Sequence, residues 1–276
     1  MFVETKGYEP SGYHVCLSVH PRRTFLVGWS LVFLLILTIA VVAPVFAEVD
    51  QRIAVRIAEW TSANDRGPFD SRKDQGRKPA QVLSFFGVGE GMTVLDIGTG
   101  SGYGAEMLSV GVGPNGIVYA QNSFLILRLI GGKHHEGMID RLENERLPNV
   151  RYMLVEPIDM PFIENIDFVQ WSLNIHDEYH GSGEKATLDT LSGIYRALKP
   201  GGLVGISDHV GIEGFDNSKL HRIKPSIVLS LLEQAGFIII STSDLLRNTD
   251  DDHTLIIYDD SVRYHTDQFL IKARKP

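Results

Sequence analysis

A chain of 276 residues with 43% hydrophobic and 22% charged residues can bury a core without staples, and its one cysteine, Cys16, excludes a disulfide framework and any Cys-ligated metal site. The net charge is −8; leaving out residues 1–47, which hold three basic and two acidic residues, 23 basic face 32 acidic. An acidic chain without a basic run lacks the clustered Lys and Arg that phosphate backbones require, so no nucleic-acid partner is expected.

Phe25 to Val42 is uncharged and rich in Leu, Val, Ile and Phe, with Arg22 and Arg23 before it and Ala43-Pro44-Val45-Phe46-Ala47 after it. A basic flank, an apolar stretch and small residues at a cleavage position are the parts of a signal peptide. The stretch exceeds the about 7–15 residues of an ordinary signal and approaches the roughly 17–25 that span a bilayer, so a retained inner-membrane anchor is the other reading. In both, the basic flank stays cytoplasmic and the domain is expected outside, exported to the periplasm or tethered there. Arg22-Arg23-Thr24-Phe25-Leu26 also resembles a twin-arginine export signal, although two arginines equally suit an ordinary flank. The expected organisation is 1–47 as signal peptide or anchor, 48–79 as a helical and loop extension, and 80–276 as the main domain.

Downstream, Gln51–Trp60 is expected to be helical and Thr61–Lys78 to be a polar loop broken at Gly67-Pro68. Pro79 suits a helix first turn, and that helix runs to Phe86 before Gly87. Apolar runs then alternate with helical stretches. Thr93–Ile97, Ile117–Ala120, Val150–Val155, Ile166–Ser172 and Leu203–Ser207 read as buried strands. Tyr103–Ser109, Lys133–Glu145 and Ala186–Leu198 read as helices between them. Ile227–Ala235 is a helix stopped by Gly236, followed by strands Phe237–Ser241 and Gln268–Ala273. Strands alternating with helices predict an α/β fold, a Rossmann-like, seven-stranded and mostly parallel sheet with helices on both faces.

The decisive stretch is Val94-Leu95-Asp96-Ile97-Gly98-Thr99-Gly100-Ser101-Gly102, an apolar strand running into a glycine turn and then a helix. Glycines let the backbone take positive φ and let a ligand approach the main chain. Such loops bind nucleotides in general, and Gly100, Gly102 and Ala105 fit the dinucleotide pattern G-x-G-x-x-A. Asp96 discriminates, because its charge suits a cationic amino-acid ligand and repels a pyrophosphate.

Asp96–Gly102 resembles the first motif of class I S-adenosylmethionine (SAM)-dependent methyltransferases, and Leu198-Lys199-Pro200-Gly201-Gly202 resembles that family's segment before its fifth strand. Val150–Phe162 is similar to its third-strand region. Ser84-Phe85-Phe86-Gly87-Val88, Asn174-Ile175-His176-Asp177, Ser207-Asp208-His209 and His221-Arg222-Ile223 resemble a group of exported predicted bacterial methyltransferases, as do Ser243–Asn248, Asp251–Thr254 and Thr266-Asp267. The resemblance implies SAM as cofactor, an antiparallel last strand and methyl transfer to a small-molecule acceptor.

It also implies roles. Asp96 and the loop Gly98, Thr99, Gly100, Ser101 and Gly102 hold the amino-acid end of SAM. Asn122 stands, with Gln121, where the family has an acidic ribose ligand; an amide oxygen accepts without full charge. Glu156 falls near the adenine, with Asp159 beside it. Asn174, His176 and Asp177 follow the fourth strand, on the side where open parallel sheets bind ligands. His176 is the candidate general base, oriented by Asp177, or else a shaper of the pocket floor; Asp208 and His209 are the second catalytic candidates. No metal is expected: His134 and His135 are adjacent and diverge on a helix, and Asp250-Asp251-Asp252 lacks the alternating spacing of an EF-hand loop and reads as an exposed turn. Two rivals remain: an NAD-type oxidoreductase, and a non-catalytic envelope ligand-binding protein on a methyltransferase fold, since fold does not fix chemistry.

Overall fold

The computed structural model describes residues 51–276 except positions 64, 65, 67 and 130. The apolar stretch at 25–42 and the expected export segment lie outside the described residues. Among the described residues no helix is long and apolar enough to cross a membrane.

Residues 51–61 are helical (α1). There follow α2 (Pro68–Arg77), α3 (Pro79–Phe86), β1 (Thr93–Ile97), α4 (Tyr103–Val112), β2 (Ile117–Asn122), α5 (Phe124–Leu129), α6 (Lys133–Leu142), β3 (Val150–Leu154), β4 (Ile166–Ser172), α7 (Ile175–Ser182), α8 (Glu184–Ala197), β5 (Leu198–His209), α9 (Pro225–Gln234), β6 (Ile238–Ser243) and β7 (Gln268–Arg274). The seven strands form one sheet in the order β3-β2-β1-β4-β5-β7-β6. β1 to β5 pair in parallel, and β7 runs antiparallel between β5 and β6. Each expected strand is present, as is the antiparallel last one.

Alternation along the buried strands sends successive side chains to opposite faces. On β1, Leu95 and Ile97 enter a cluster with Trp171, Leu191, Ile194, Ile206 and Leu231, under α8 and α9. Val94 enters the other cluster, with Phe86, Leu108, Val118 and Phe168, under α1, α3 and α4. Asp96 shares Val94's face by the same period, and register sets it beside Gln170 of β4. The pair of polar residues therefore lies below the start of α4.

Three helices differ from the sequence reading. α2 replaces the expected loop at 61–78: it carries Asp70 in its first turn and Arg77 in its last, which suits the helix dipole. It is held by ion pairs, Arg141 to Asp70 at 2.8 Å among them, and so carries no apolar stripe for a periodicity reading to detect. α5 and α7 are short, and of α7 only Ile175 and His176 are buried. Two strands outrun their expected ends. β2 gains Gln121 and Asn122 by pairing with Met153 and Leu154, and β5 begins at Leu198, opposite Ile166, and continues to His209, opposite Gln268.

Phe86 is fully buried between Phe85 and Phe168, at ring-centroid distances of 5.4 and 5.7 Å. A Cβ on Gly205 of β5 would stand 2.7 Å from its ring. Gly205→Ala should therefore overpack this face, lowering the unfolding free energy by about 1–3 kcal/mol. Urea denaturation checks this as a lower midpoint at an unchanged m-value.

Candidate functional site

The C-terminal ends of β1, β2, β4 and β5 open into a cavity of about 910 Å³, toward the upper end of the usual range for ligand sites of about 300–1,000 Å³. Its floor is the glycine loop after β1. Backbone groups at a strand end need partners, and here side-chain amides supply them. Gly98 N donates to Gln121 Oε1 at 3.0 Å and Gly100 N to Asn122 Oδ1 at 2.9 Å. Asn122 Nδ2 returns a bond to Gly100 O at 2.9 Å. From β4's end, Asn174 Nδ2 donates to Gly98 O at 3.0 Å. Gly98 has φ +60°, and a Cβ there would lie 2.6 Å from Asn174 Oδ1, so the clamp closes only over glycine.

Asp96 reaches the cavity wall but also secures the loop from beneath. It accepts bonds from Thr99 Oγ1 at 2.7 Å and Gln170 Nε2 at 3.1 Å. Burial raises its pKa to about 6, against the opposing pull of those donors and of Arg77. Ser101 Oγ meets His134 Nδ1 at 2.9 Å at the rim. Glu156 lines the cavity, accepts from Ser123 Oγ at 2.6 Å and from Leu125 N at 3.2 Å, and so caps α5.

The sequence reading missed the residues that α2 contributes. Lys73 and Arg77 line the cavity and lie 5.3 and 4.6 Å from the centroid of the Tyr103 ring. Lys73 pairs with Asp70 at 2.9 Å. Arg77 has no hydrogen bond or ion pair with another described residue, which leaves its guanidinium open to an anionic group. Gln170 was also missed; only strand register could have linked it to Asp96.

The expected catalytic residues divide into two sets. Asp177 and His209 line the cavity, whereas His176 and Asp208 sit behind it, 1% and 0% exposed. The His176 ring is fixed by Asp208 through Nδ1–Oδ1 at 2.7 Å, and its backbone N donates to Asp208 Oδ2 at 3.0 Å. This corrects the expectation that Asp177 orients the ring; Asp177 Oδ1 lies 3.3 Å from Nε2, on its far side. Burial works to lower the His176 pKa, but Asp208 and Asp177 outweigh it and raise it to about 10. The ring is buried behind the cavity lining and its carboxylate neighbours favour the charged form, both of which count against a general base acting on an acceptor. Burial pushes His209 the other way, to about 3, and its Nδ1 meets Thr266 Oγ1 at 2.7 Å. His209 is thus a neutral imidazole at the cavity wall.

His134 and His135 diverge, the second to Tyr152 Oη at 3.1 Å. The Asp250–Asp252 turn departs from expectation at its centre, where Asp251 is buried and pairs with both terminal nitrogens of Arg222 at 2.9 and 3.0 Å.

Removing one partner of a buried pair leaves an uncompensated charge. Asp208→Asn should therefore destabilise the chain by about 3–5 kcal/mol at pH 7. The raised His176 pKa gives a contribution that is full below pH 6.5 and is lost as pH climbs through 10. The gap between wild type and variant should shrink across that window, as urea titrations at pH 7 and above pH 10 would measure.

Comparison with known proteins gives concordant matches. The family model of protein-L-isoaspartate(D-aspartate) O-methyltransferase matches residues 60–129, from the end of α1 through the glycine loop to α5. Sterol 24-C-methyltransferase of Pneumocystis carinii is 31% identical over 132 residues, which is 48% of this chain and 32% of that protein. The chain thus spans about a third of that relative's length. A SAM-dependent methyltransferase from Aquifex aeolicus superposes with a TM-score of 0.54 at 22% identity, covering 75% of this chain and 98% of that one. Phosphoethanolamine N-methyltransferase 2 of Haemonchus contortus, solved with phosphomonomethylethanolamine and S-adenosylhomocysteine, gives 0.52 at 19% identity over 75% and 57%. With the strand order, the glycine loop after β1 and the antiparallel β7, these matches identify the class I SAM-dependent methyltransferase fold in this chain.

Proposed function

We propose that the chain is a SAM-dependent methyltransferase with a small-molecule acceptor, of the group of exported bacterial methyltransferases that its motifs resemble. The observation that carries this reading is the clamped glycine loop after β1, with the buried Asp96 and the guanidinium of Arg77 lining the same cavity. Those two charges suit the ammonium and carboxylate of an amino-acid ligand. The Asp96 carboxylate has about four acceptor sites and gives one to Thr99 of the loop and one to Gln170 of β4. Asn122, the expected ribose contact, spends its amide on Gly100, so the adenosyl end falls to Ser123 and Glu156.

SAM, when bound, supplies a methyl group on a sulfonium, and transfer to a good nucleophile depends chiefly on positioning. Asp177, His209 and Tyr258 also line the cavity, grouped around the rings of His176 and His221, and would meet the acceptor. The fixed His176–Asp208 pair holds that part of the lining in place. The sterol and phosphoethanolamine named for the similar proteins are small molecules, and the volume of the cavity suits an acceptor of that scale.

Titration of the full-length chain with SAM in a calorimeter tests the reading, and absence of binding would end it. Arg77→Ala should weaken SAM by roughly 10–150-fold, the loss of a charged hydrogen bond worth about 1.5–3 kcal/mol. A cationic ligand favours the ionised form of Asp96. Affinity should accordingly be flat above pH 7 and fall below about pH 6, by up to about tenfold per pH unit.

We also infer that residues 1–47 export the domain or tether it to the inner membrane. The support is Arg22-Arg23 before an uncharged stretch. A reporter that works only outside the cytoplasm, fused after residue 60, should be active; activity of a cytoplasm-only reporter at that position would reverse the assignment.

A further inference from the structure

At the acceptor end of the cavity, behind the wall that Asp177 forms, three side chains converge from two segments. His176 and Asp177 open α7 directly after β4. His221 arrives from the turn before Ile223, whose amide donates to His209 O at 3.0 Å and which bridges Val210 past the end of β5. That pairing ties the 217–223 turn to the sheet and sets His221 opposite α7. The rings of His176 and His221 stand edge to face, with centroids 5.6 Å apart. Asp177 Oδ1 lies between them, 3.3 Å from His176 Nε2 and 2.8 Å from His221 Nδ1.

Two independent observations point to a ligand here. His176 Nε2 is fully buried and makes no hydrogen bond with another described residue; it meets Asp177 Oδ1 only at the longer ion-pair distance of 3.3 Å. An unsatisfied buried polar atom is costly and calls for an explanation. The second observation is the outer shell. Asp208 holds His176 Nδ1 at 2.7 Å, the arrangement that orients a metal-ligating histidine, and an ion bound here would take the place of the Nε2 proton.

We propose that His176, Asp177 and His221 form a site for a divalent first-row transition ion such as Zn²⁺. One donor atom from each lies within 4.8 Å of the others. Donors about 2.0–2.2 Å from a shared ion stand roughly 3–3.5 Å apart in a tetrahedron, so the set needs only a modest closure. Two imidazoles and one carboxylate suit Zn²⁺ and its neighbours, whereas Ca²⁺ and Mg²⁺ prefer sites built from oxygen. Three protein ligands leave a fourth position, the pattern of an ion that meets a substrate rather than one that staples a fold. Asp177 lines the cavity, so that position faces the acceptor end, where a lone pair on an oxygen, nitrogen or sulfur could bind. None of the three ligands hydrogen-bonds the glycine loop, so the site stands or falls apart from SAM binding.

The test is titration of the full-length chain, stripped with a chelator and dialysed, with Co²⁺ as a visible-absorbing probe. One equivalent should bind with a ligand-field absorption band, and Zn²⁺ should displace it. Asp177 and His221 are partly exposed, with side chains 53% and 33% accessible, so their replacement leaves no buried charge and circular dichroism should be unchanged. Asp177→Asn and His221→Ala should each weaken Co²⁺ by about tenfold or more, while His265→Ala, an exposed histidine elsewhere, should not. Absence of saturable binding in the wild type, or saturable binding that both ligand variants retain at full strength, would overturn the proposal.

Discussion

The site rests on one constraint: a parallel strand that stops in a cleft leaves main-chain polar groups that must find partners away from water. Here neutral amides meet that demand. Gln121, Asn122 and Asn174 bind Gly98 and Gly100 from both sides, and Asp96 with Gln170 anchors Thr99 from below. The loop is therefore shaped before any ligand arrives, and preorganisation of this kind reduces the ordering cost of binding. The same economy removes Asn122 from the ligand-binding set, because its amide is already engaged.

A second network joins the N-terminal segment to this frame. Glu106 of α4 is fully buried. It accepts from Trp60 Nε1 at 2.7 Å, from Arg146 at 2.8 Å and from Arg141. Burial works to raise its pKa, and these donors and charges prevail and lower it. Arg141 also reaches Asp70 of α2, and Tyr103 Oη donates to Asp74 at 2.8 Å. α2 is thus held electrostatically, in the position that delivers Lys73 and Arg77 to the cavity. A residue of α4 that never faces the cavity governs two that do.

Most of the fold was legible because buried parallel strands are nearly continuous apolar runs, and Val94–Ile97 or Ile166–Ser172 could hardly be read otherwise. The glycine loop was equally plain, since its backbone conformation dictates its residues. What escaped was whatever depends on register or on charge. Gln170 gains meaning only beside Asp96, two strand positions brought together over 74 residues of chain. α2 carries no apolar period, and Arg77 on it resembled any surface arginine. The His176 ring lies between two carboxylates, of which the sequence suggested one: Asp177 is adjacent in sequence and faces Nε2, whereas Asp208 comes from the far end of β5 and holds Nδ1. Sequence proximity cannot distinguish a side chain that orients a ring from one that faces its other nitrogen.

The place of β7 has a kinetic meaning. It follows every other strand in chain order yet lies inside the sheet, between β5 and β6. Until it docks, β5 presents an open edge, and β6 has no partner at all. Closing the sheet therefore waits on pairings of long sequence separation, such as Leu203 with Arg274, which are slow to form because the intervening loop must close first. Throughout that interval the half-built sheet offers a bare strand edge to its surroundings, the feature by which immature chains stick to one another. Maturation of this domain should thus be more sensitive to crowding and to chaperone supply than the stability of its finished form would suggest.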